Sequence, residues 1–436
     1  MDILIKVLQF LLSFSLLVLV HESGHFIFAR IFGVRVERFR IFFGRPLIKW
    51  KWGETEFGIG WLPFGGYAKL SGMIDESLDS GSLRSEPQKW EFRSRPVWQR
   101  LLMMLGGVIM NVIFAFIIYV GISYTWGDSY ISNSDMKYGY VFNDVGHSLG
   151  FRDGDKIISI GSRPVEDFSK IMTSILIESD NTTVVERDGV LDTIAIPTQS
   201  VMKFIEQPDF IEPRYPFVVE SVIGGMGAAS AGLQKGDRLT SADGVPTLYF
   251  DQYRKVFSSH AGDTVRLGFD RGGRELFADV FVSPAGMIGV NINKADFISI
   301  RTRHYTLLQS VPQGFVRVGT EMCDYWKQLK LIVKPKTEMY KALGGPLSIG
   351  NIFPPVWSWE HFWRITALLS VIFAVMNVMP IPALDGGHVL FLLVEMITRR
   401  KPSDNFLMYA QLIGMTILIA LMILVTKNDI SRIFFH

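Results

Sequence analysis

The sequence predicts a polytopic α-helical membrane protein of about four transmembrane helices, carrying a duplicated α/β segment outside the lipid. Three observations predict it. The chain has 436 residues of which 48% are hydrophobic, high for a soluble protein. Several apolar runs are long enough to cross a hydrocarbon core of about 30 Å, which takes about 20 helical residues. Between two of them, a polar stretch from about 127 to 360 repeats itself at an offset of 82 residues. A net charge of only +2 gives no reason to expect nucleic acid as a partner. The single cysteine, Cys323, excludes an intrachain disulfide, and without a convincing histidine nearby it reads as an inert thiol.

The spans are expected near Ile5–Phe28, within an N-terminal helix over 1–30, then at 101–126 and 405–426. A further apolar stretch over 362–397 is interrupted by Pro380, Pro382, Asp385 and Gly386-Gly387 and reads as a broken span. Such a break is tolerated only where protein or a water-filled cavity surrounds it. The N-terminal run lacks a basic start and a small-residue cleavage site, so it reads as a retained helix rather than a signal peptide. The loop over 31–100 holds Arg30, Arg35, Arg38, Arg40, Arg45, Lys49, Lys51, Arg93, Arg95 and Arg100 at its ends or within it, and Arg399, Arg400 and Lys401 precede the last span. Basic short loops mark the cytoplasmic side, which places both termini and the long polar segment in the opposite compartment.

In that segment Gly150, Gly154, Asp155, Ile157, Pro164 and Phe168 align without gaps with Gly232, Gly236, Asp237, Leu239, Pro246 and Phe250. Each copy reads as a glycine turn, Gly-Asp, a short strand, a turn and a helix. The run Ala231-Gly232-Leu233-Gln234-Lys235-Gly236-Asp237-Arg238-Leu239 resembles the signature turn of PDZ domains, which implies tandem PDZ-like domains at 128–210 and 215–298. Such domains capture extended peptides by strand addition; the alternative is a pair of spacers or size-excluding covers. Over 304–360, Leu308, Val311, Phe315, Val318, Met322, Trp326, Leu329 and Val333 recur at steps of three and four. That stripe suits a helix on the membrane surface or one packed on its own protein.

His21-Glu22-Ser23-Gly24-His25 is an H-E-x-x-H motif on a predicted helix, so both imidazoles share one face, a turn apart, and can bind one zinc ion with Glu22 beside it. A charged group in a membrane helix costs about 2.5–3.5 kcal/mol at the centre, which argues for function or pairing. A catalytic zinc takes three protein ligands and an open position. Asp385, in Leu384-Asp385-Gly386-Gly387, and His388 are the candidates for the third. Zinc lowers the pKa of water and polarises a carbonyl, and Glu22 is placed to move the proton. Asn377, in an apolar run, suits either an oxyanion or substrate contact or a helix-to-helix hydrogen bond.

Together these residues resemble the site-2 protease family of intramembrane zinc metalloproteases, and within it the Gram-negative regulator of sigma-E protease group, which carries tandem PDZ domains. The matching features are the H-E-x-x-H of the first span, Asn377-x-x-Pro380-x-Pro382-x-Leu384-Asp385-Gly386 in the third, and the repeat between the second and third. The resemblance implies His21, His25 and Asp385 as zinc ligands, Glu22 as general base, and Asn377, Pro380 and Pro382 as substrate contacts. It implies a bacterial inner-membrane protein with periplasmic PDZ-like domains. It further implies cleavage towards the cytoplasmic side, on single-span membrane proteins such as an anti-sigma factor already trimmed once, and on remnant signal peptides. Gly58-Ile59-Gly60-Trp61-Leu62-Pro63-Phe64-Gly65-Gly66-Tyr67 resembles the family's membrane-associated β-hairpin, expected over about 54–72, with Gly58, Gly60 and Trp61 at the substrate. A helical substrate hides its amides and has to be extended before cleavage. Gly344-Gly345-Pro346-Leu347 fits a further family motif, whereas Gly107 stands where the family usually has proline.

Two other classes compete on residues alone. A silent membrane scaffold has no chemical reason to keep Glu22, both histidines and Asp385. A metal transporter needs a polar path through further helices, and the last span offers only Gln411 and Thr416.

Overall fold

The computed structural model describes residues 2–73, 86–178, 182–207, 209–292, 294, 297–334 and 337–435. Positions 74–85 of the expected cytoplasmic-side loop, and a few within the repeat, lie outside the described residues. The chain divides into two units, one comprising Met1–Asp128, His304–Val333 and Tyr340–His436, the other Ser129–Arg303 and Lys334–Met339.

In the first unit, α1 spans Asp2–Ile31. It ends where Gly33 takes φ +67° and Val34 donates back to the Ala29 carbonyl, the left-handed close that favours glycine. Two strands follow, β1 (Val36–Trp52) and β2 (Thr55–Leu70). α2 covers Val97–Thr125 directly after Pro96, whose missing N–H costs nothing at a helix start. The remaining helices are α3 (Leu307–Val333), α4 (Pro346–Ile352), α5 (Trp359–Val378), α6 (Asp385–Thr398) and α7 (Asp404–Phe435). Among the described residues four helices are long and apolar enough to cross a membrane: Asp2–Ile31, Val97–Thr125, Trp359–Val378 and, within α7, Asn405–Ser431. The broken stretch over 362–397 resolves into α5 and α6 with a turn at 379–384. At about 1.5 Å per residue, the 14 residues of α6 are too short to span on their own.

Small residues set the packing. Where α1 and α2 cross, a Cβ on Gly106 would lie 2.7 Å from the Gly24 carbonyl oxygen, and one on Gly24 2.7 Å from the Gly107 nitrogen. The backbones touch, which side chains of ordinary size forbid. Further along α2, Ala115, Ile118, Tyr119 and Ile122 bury against Ala367, Val371 and Val375 of α5 and Val318 of α3. The stripe on α3 is therefore divided: Val318, Met322 and Leu329 pack on the protein while Leu308, Phe315 and Val333 stay exposed. Arg100 at the start of α2 makes a bidentate pair with Glu395 of α6, at 3.1 and 2.6 Å. Near the far end of α7, the buried Asp429 carboxylate accepts from the amides of Gly345, Leu347 and Ser348 and from the Ser348 hydroxyl, which caps α4. A Cβ on Gly345 would lie 2.8 Å from that carboxylate, a structural account of the Gly-Gly-Pro-Leu motif.

The two strands start earlier than the 54–72 expected and fold back on themselves. Their tips pair from Trp52 opposite Thr55 to Ile48 opposite Ile59, and their bases from Val36 opposite Leu70 to Ile41 opposite Gly66. The base of β1 also meets Glu56 to Ile59, Arg38 opposite Glu56 and Ile41 opposite Ile59. In space the rows run 46–52, 55–60, 36–41, 66–70. Arg40 ties two of them through Glu56 at 2.5 Å, and that hydrogen bond holds the Glu56 carboxyl below the ordinary carboxylate range.

In the second unit the repeat is structural. One four-stranded sheet runs Arg163–Pro164, Lys156–Ile160, Thr182–Arg187, Val190–Ala195, and the other runs Val245–Pro246, Arg238–Ala242, Thr264–Arg271, Arg274–Phe281, in the same order. The repeated Gly-Asp has the same task in both. Buried Asp155 binds Arg187 Nε and Nη2 at 2.8 Å and the Arg152 amide at 2.8 Å. Asp237 binds Arg271 Nε and Nη2 at 2.7 Å and the Gln234 amide at 2.7 Å. Each arginine also donates to the turn glycine's carbonyl, Gly150 or Gly232. Removing the carboxylate strands a guanidinium beside a fold core; Asp237→Ala is expected to destabilise this unit by about 2–4 kcal/mol. Thermal unfolding followed by limited proteolysis measures it, and an unchanged midpoint contradicts the role.

Candidate metal centre

Four helices and the sheet converge on one cluster. His21 and His25, a turn apart on α1, direct Nε2 at Asp385, the first residue of α6. Asp385 Oδ2 lies 3.1 Å from His21 Nε2 and 3.3 Å from His25 Nε2, and the two nitrogens are 3.3 Å apart. Among the described residues this is the one group of three such side chains within reach of a common ion. Both histidines are buried, and Asp385 Oδ2, itself buried, has no hydrogen-bond partner among the described residues. An ion answers that arrangement. With zinc–ligand bonds of about 2.0–2.2 Å, tetrahedral ligands stand about 3.3–3.5 Å apart, close to the three separations observed. The residues fit zinc.

Glu22, buried next to His21, lies against the backbone of β2 near Gly66 and Ala68. The row 66–70 thus lies along α1, and a Cβ on Gly66 would lie 2.5 Å from Val18 Cγ1 and 3.5 Å from Glu22 Cγ. The opposite side of that row pairs with β1, and no further strand pairs with it among the described residues. Gly58 is in an inner row, opposite both Lys49 and Arg40. Gly60 lies where a Cβ would meet the Phe42 backbone at 2.8 Å. Trp61 is exposed. Asn377 is buried in the last turn of α5. Pro380 is exposed in the turn and Pro382 half-buried. His388 lies outside the cluster and lines a separate cavity of about 60 Å³ with Arg100, Glu395 and Phe92.

Two supports were not legible in the sequence as such. α2 contributes Met103, whose carbonyl is 2.9 Å from His25 Nδ1, and Asn111, whose carboxamide is 3.2 Å from His21 Nδ1. Gly107 explains itself here: a Cβ would stand 2.5 Å from His21 Cε1 and 2.7 Å from His25 Nε2, and α2 runs unbroken through it. α7 contributes the second support. Ala383, two residues before Asp385, has φ +80°, a conformation that costs an alanine about 1–2 kcal/mol. Its amide donates to Gln411 Oε1 at 3.2 Å, and Gly414 lets the Pro382 backbone approach so closely that its own Cβ could not be accommodated.

Hydrolysis at a metal centre within spanning helices is the chemistry this arrangement suits, the class of the membrane metallopeptidases. Comparison bears directly on it. Residues 9–421 match the model of peptidase family M50. Regulator of sigma-E protease of Salmonella typhimurium is 27% identical over 99% of this chain and 100% of its own, and that of Escherichia coli is 26% identical over 98% of each. A Neisseria meningitidis protein whose name describes a zinc metalloprotease is 27% identical over 98% of this chain and 99% of its own. The chain belongs to peptidase family M50, the site-2 protease family. It is a metallopeptidase, and its metal is zinc.

Loss of the Gln411 acceptor is expected to loosen the Asp385 turn. Gln411→Met should weaken zinc retention about 10-fold, and Ala383→Gly in the same chain should recover most of it, because glycine takes this φ without penalty. Zinc content after dialysis against a graded chelator reads both; full retention in Gln411→Met contradicts the bracing role.

Proposed function

We propose that this chain cleaves single-span membrane proteins within or at the edge of the bilayer, with His21, His25 and Asp385 holding zinc and Glu22 moving the proton. The observation that carries it is the triangle of two imidazole nitrogens and one carboxylate oxygen with 3.1–3.3 Å sides, flanked by the buried carboxylate of Glu22. Zinc bound there supplies Lewis acidity, activating water near neutral pH and polarising the scissile carbonyl. Glu22 takes the proton of the attacking water and hands it to the leaving nitrogen, the general acid–base part of the reaction.

The substrate enters as an extended strand. The sheet packed beside Glu22 offers the backbone such a strand would pair with, so that strand addition presents a peptide bond to the centre. Gly58 and Gly60 act by letting the inner rows pack closely, and exposed Trp61 faces the substrate or lipid. Asn377 serves as an amide donor to the substrate backbone or the developing oxyanion, while Pro380 and Pro382 shape the turn that meets it. The two repeated folds of the second unit are PDZ-like, supported by their matching strand order, and take an extended peptide as ligand. Basic loops on one side support a bacterial inner membrane location with these folds periplasmic and cleavage towards the cytoplasmic side. The names of the sigma-E protease relatives support an anti-sigma type of substrate, with remnant signal peptides as a second class.

Glu22→Gln is expected to lower cleavage of a co-expressed single-span protein about a thousandfold or more while leaving zinc bound. Product formation and metal content in the same preparation test this; cleavage near the wild-type level in Glu22→Gln rules the mechanism out.

A further inference from the structure

The two ligand histidines are gripped from behind by α2, and the grips differ. His25 Nδ1 faces a backbone carbonyl, that of Met103, at 2.9 Å. A carbonyl only accepts, so Nδ1 carries the proton and Nε2 presents its lone pair to the cluster, the tautomer a metal requires. His21 Nδ1 faces a carboxamide instead, with Asn111 Nδ2 at 3.2 Å and Asn111 Oδ1 buried without a partner among the described residues. Were the amide nitrogen the donor, His21 Nδ1 would have to accept. Its Nε2 would then carry a hydrogen pointing at His25 Nε2 and Asp385 Oδ2, and no ion could bind there.

A half-turn of the carboxamide resolves this. It sets Oδ1 against Nδ1, gives the stranded oxygen a donor and gives His21 the same tautomer as His25. Carboxamide oxygen and nitrogen exchange places in such a turn with no change of shape. We infer that Asn111 is a positioning residue of the metal centre, its Oδ1 accepting from His21 Nδ1–H and fixing the ring's tautomer and plane; the inference rests on the ligand roles proposed above. Its surroundings hold it for that task. Asn111 is fully buried, and its own carbonyl is bound by Ser370 Oγ of α5 at 2.8 Å. Gly107, one turn earlier, lets α2 come close enough for the carboxamide to reach. Phe373 stands edge-on to the His21 ring at 5.8 Å and closes another face. A helix-to-helix hydrogen bond with no bearing on the metal would be served equally by donor or acceptor; this role needs an acceptor.

The test separates the two. In the full-length protein in detergent, zinc affinity is measured by competition with a chelator for wild type, Asn111→Leu and Asn111→Asp, with the unfolding midpoint of the metal-free forms as a control. Asn111→Leu should lose 10- to 100-fold in zinc affinity. Asn111→Asp, which accepts but cannot donate, should stay within a few-fold of wild type. Wild-type affinity in Asn111→Leu, or a loss of tenfold or more in Asn111→Asp, overturns the inference. If Asn111→Leu does not fold, Asn111→Asp alone decides. His21→Ala distinguishes the underlying reading: zinc held at wild-type affinity by His21→Ala defeats the ligand assignment itself, whereas loss of zinc there with both Asn111 variants unaffected defeats only the role of Asn111.

Discussion

A carboxylate and two imidazoles have to meet where lipid surrounds the protein, and most of the first unit is organised by that demand. Polar groups in such a setting are costly unless each finds a partner. Here the partners come from different parts of the chain: α1 brings the imidazoles, α6 the carboxylate, α2 holds the Nδ1 atoms of both imidazoles, and α7 binds the turn before Asp385. Zinc completes a set that is otherwise one short, since Asp385 Oδ2 lacks a hydrogen-bond partner among the described residues.

Close approach makes the meeting possible. The contact of Gly24 with Gly106 and Gly107 brings two helix backbones together, and that contact in turn brings Met103 and Asn111 within hydrogen-bonding distance of the histidines. On the other side, the turn at 379–384 frees α6 to begin at the cluster. A continuous helix through this stretch would keep Asp385 in register with α5 instead. The left-handed Ala383 is the local cost of that turn, and Gln411 and Gly414 of α7 offset it. The last helix thus serves the centre without contributing a ligand.

Much of this could be read from the sequence. The H-E-x-x-H spacing is a statement about one helical face, and Pro380, Pro382 and Gly386-Gly387 announce an interrupted helix, so the pairing of the two imidazoles and the break before Asp385 were legible from local rules. The choice between Asp385 and His388 was not, because both lie in one short stretch and only the packing of α6 turns the first towards the histidines and the second towards Arg100 and Glu395. Nothing local marked Asn111; its meaning depends on where α2 crosses α1, which no local pattern encodes. The folding back of β1 and β2 was hidden for the same reason, since a long alternating ribbon does not reveal that it pairs twice. In the second unit the offset of 82 residues gave away the duplication, while the partners of its repeated aspartates, Arg187 and Arg271, lay outside the aligned positions.

Everything in this centre requires that one zinc ion be shared by two imidazoles and a carboxylate inside the membrane. X-ray absorption at the zinc edge of the purified protein, before and after Asp385→Ala, tests it most directly. One zinc per chain is expected, bound by two imidazole nitrogens and oxygen ligands, with the ion lost or its oxygen shell altered in the variant. A spectrum with fewer than two imidazoles, or one that Asp385→Ala leaves unchanged, would contradict it.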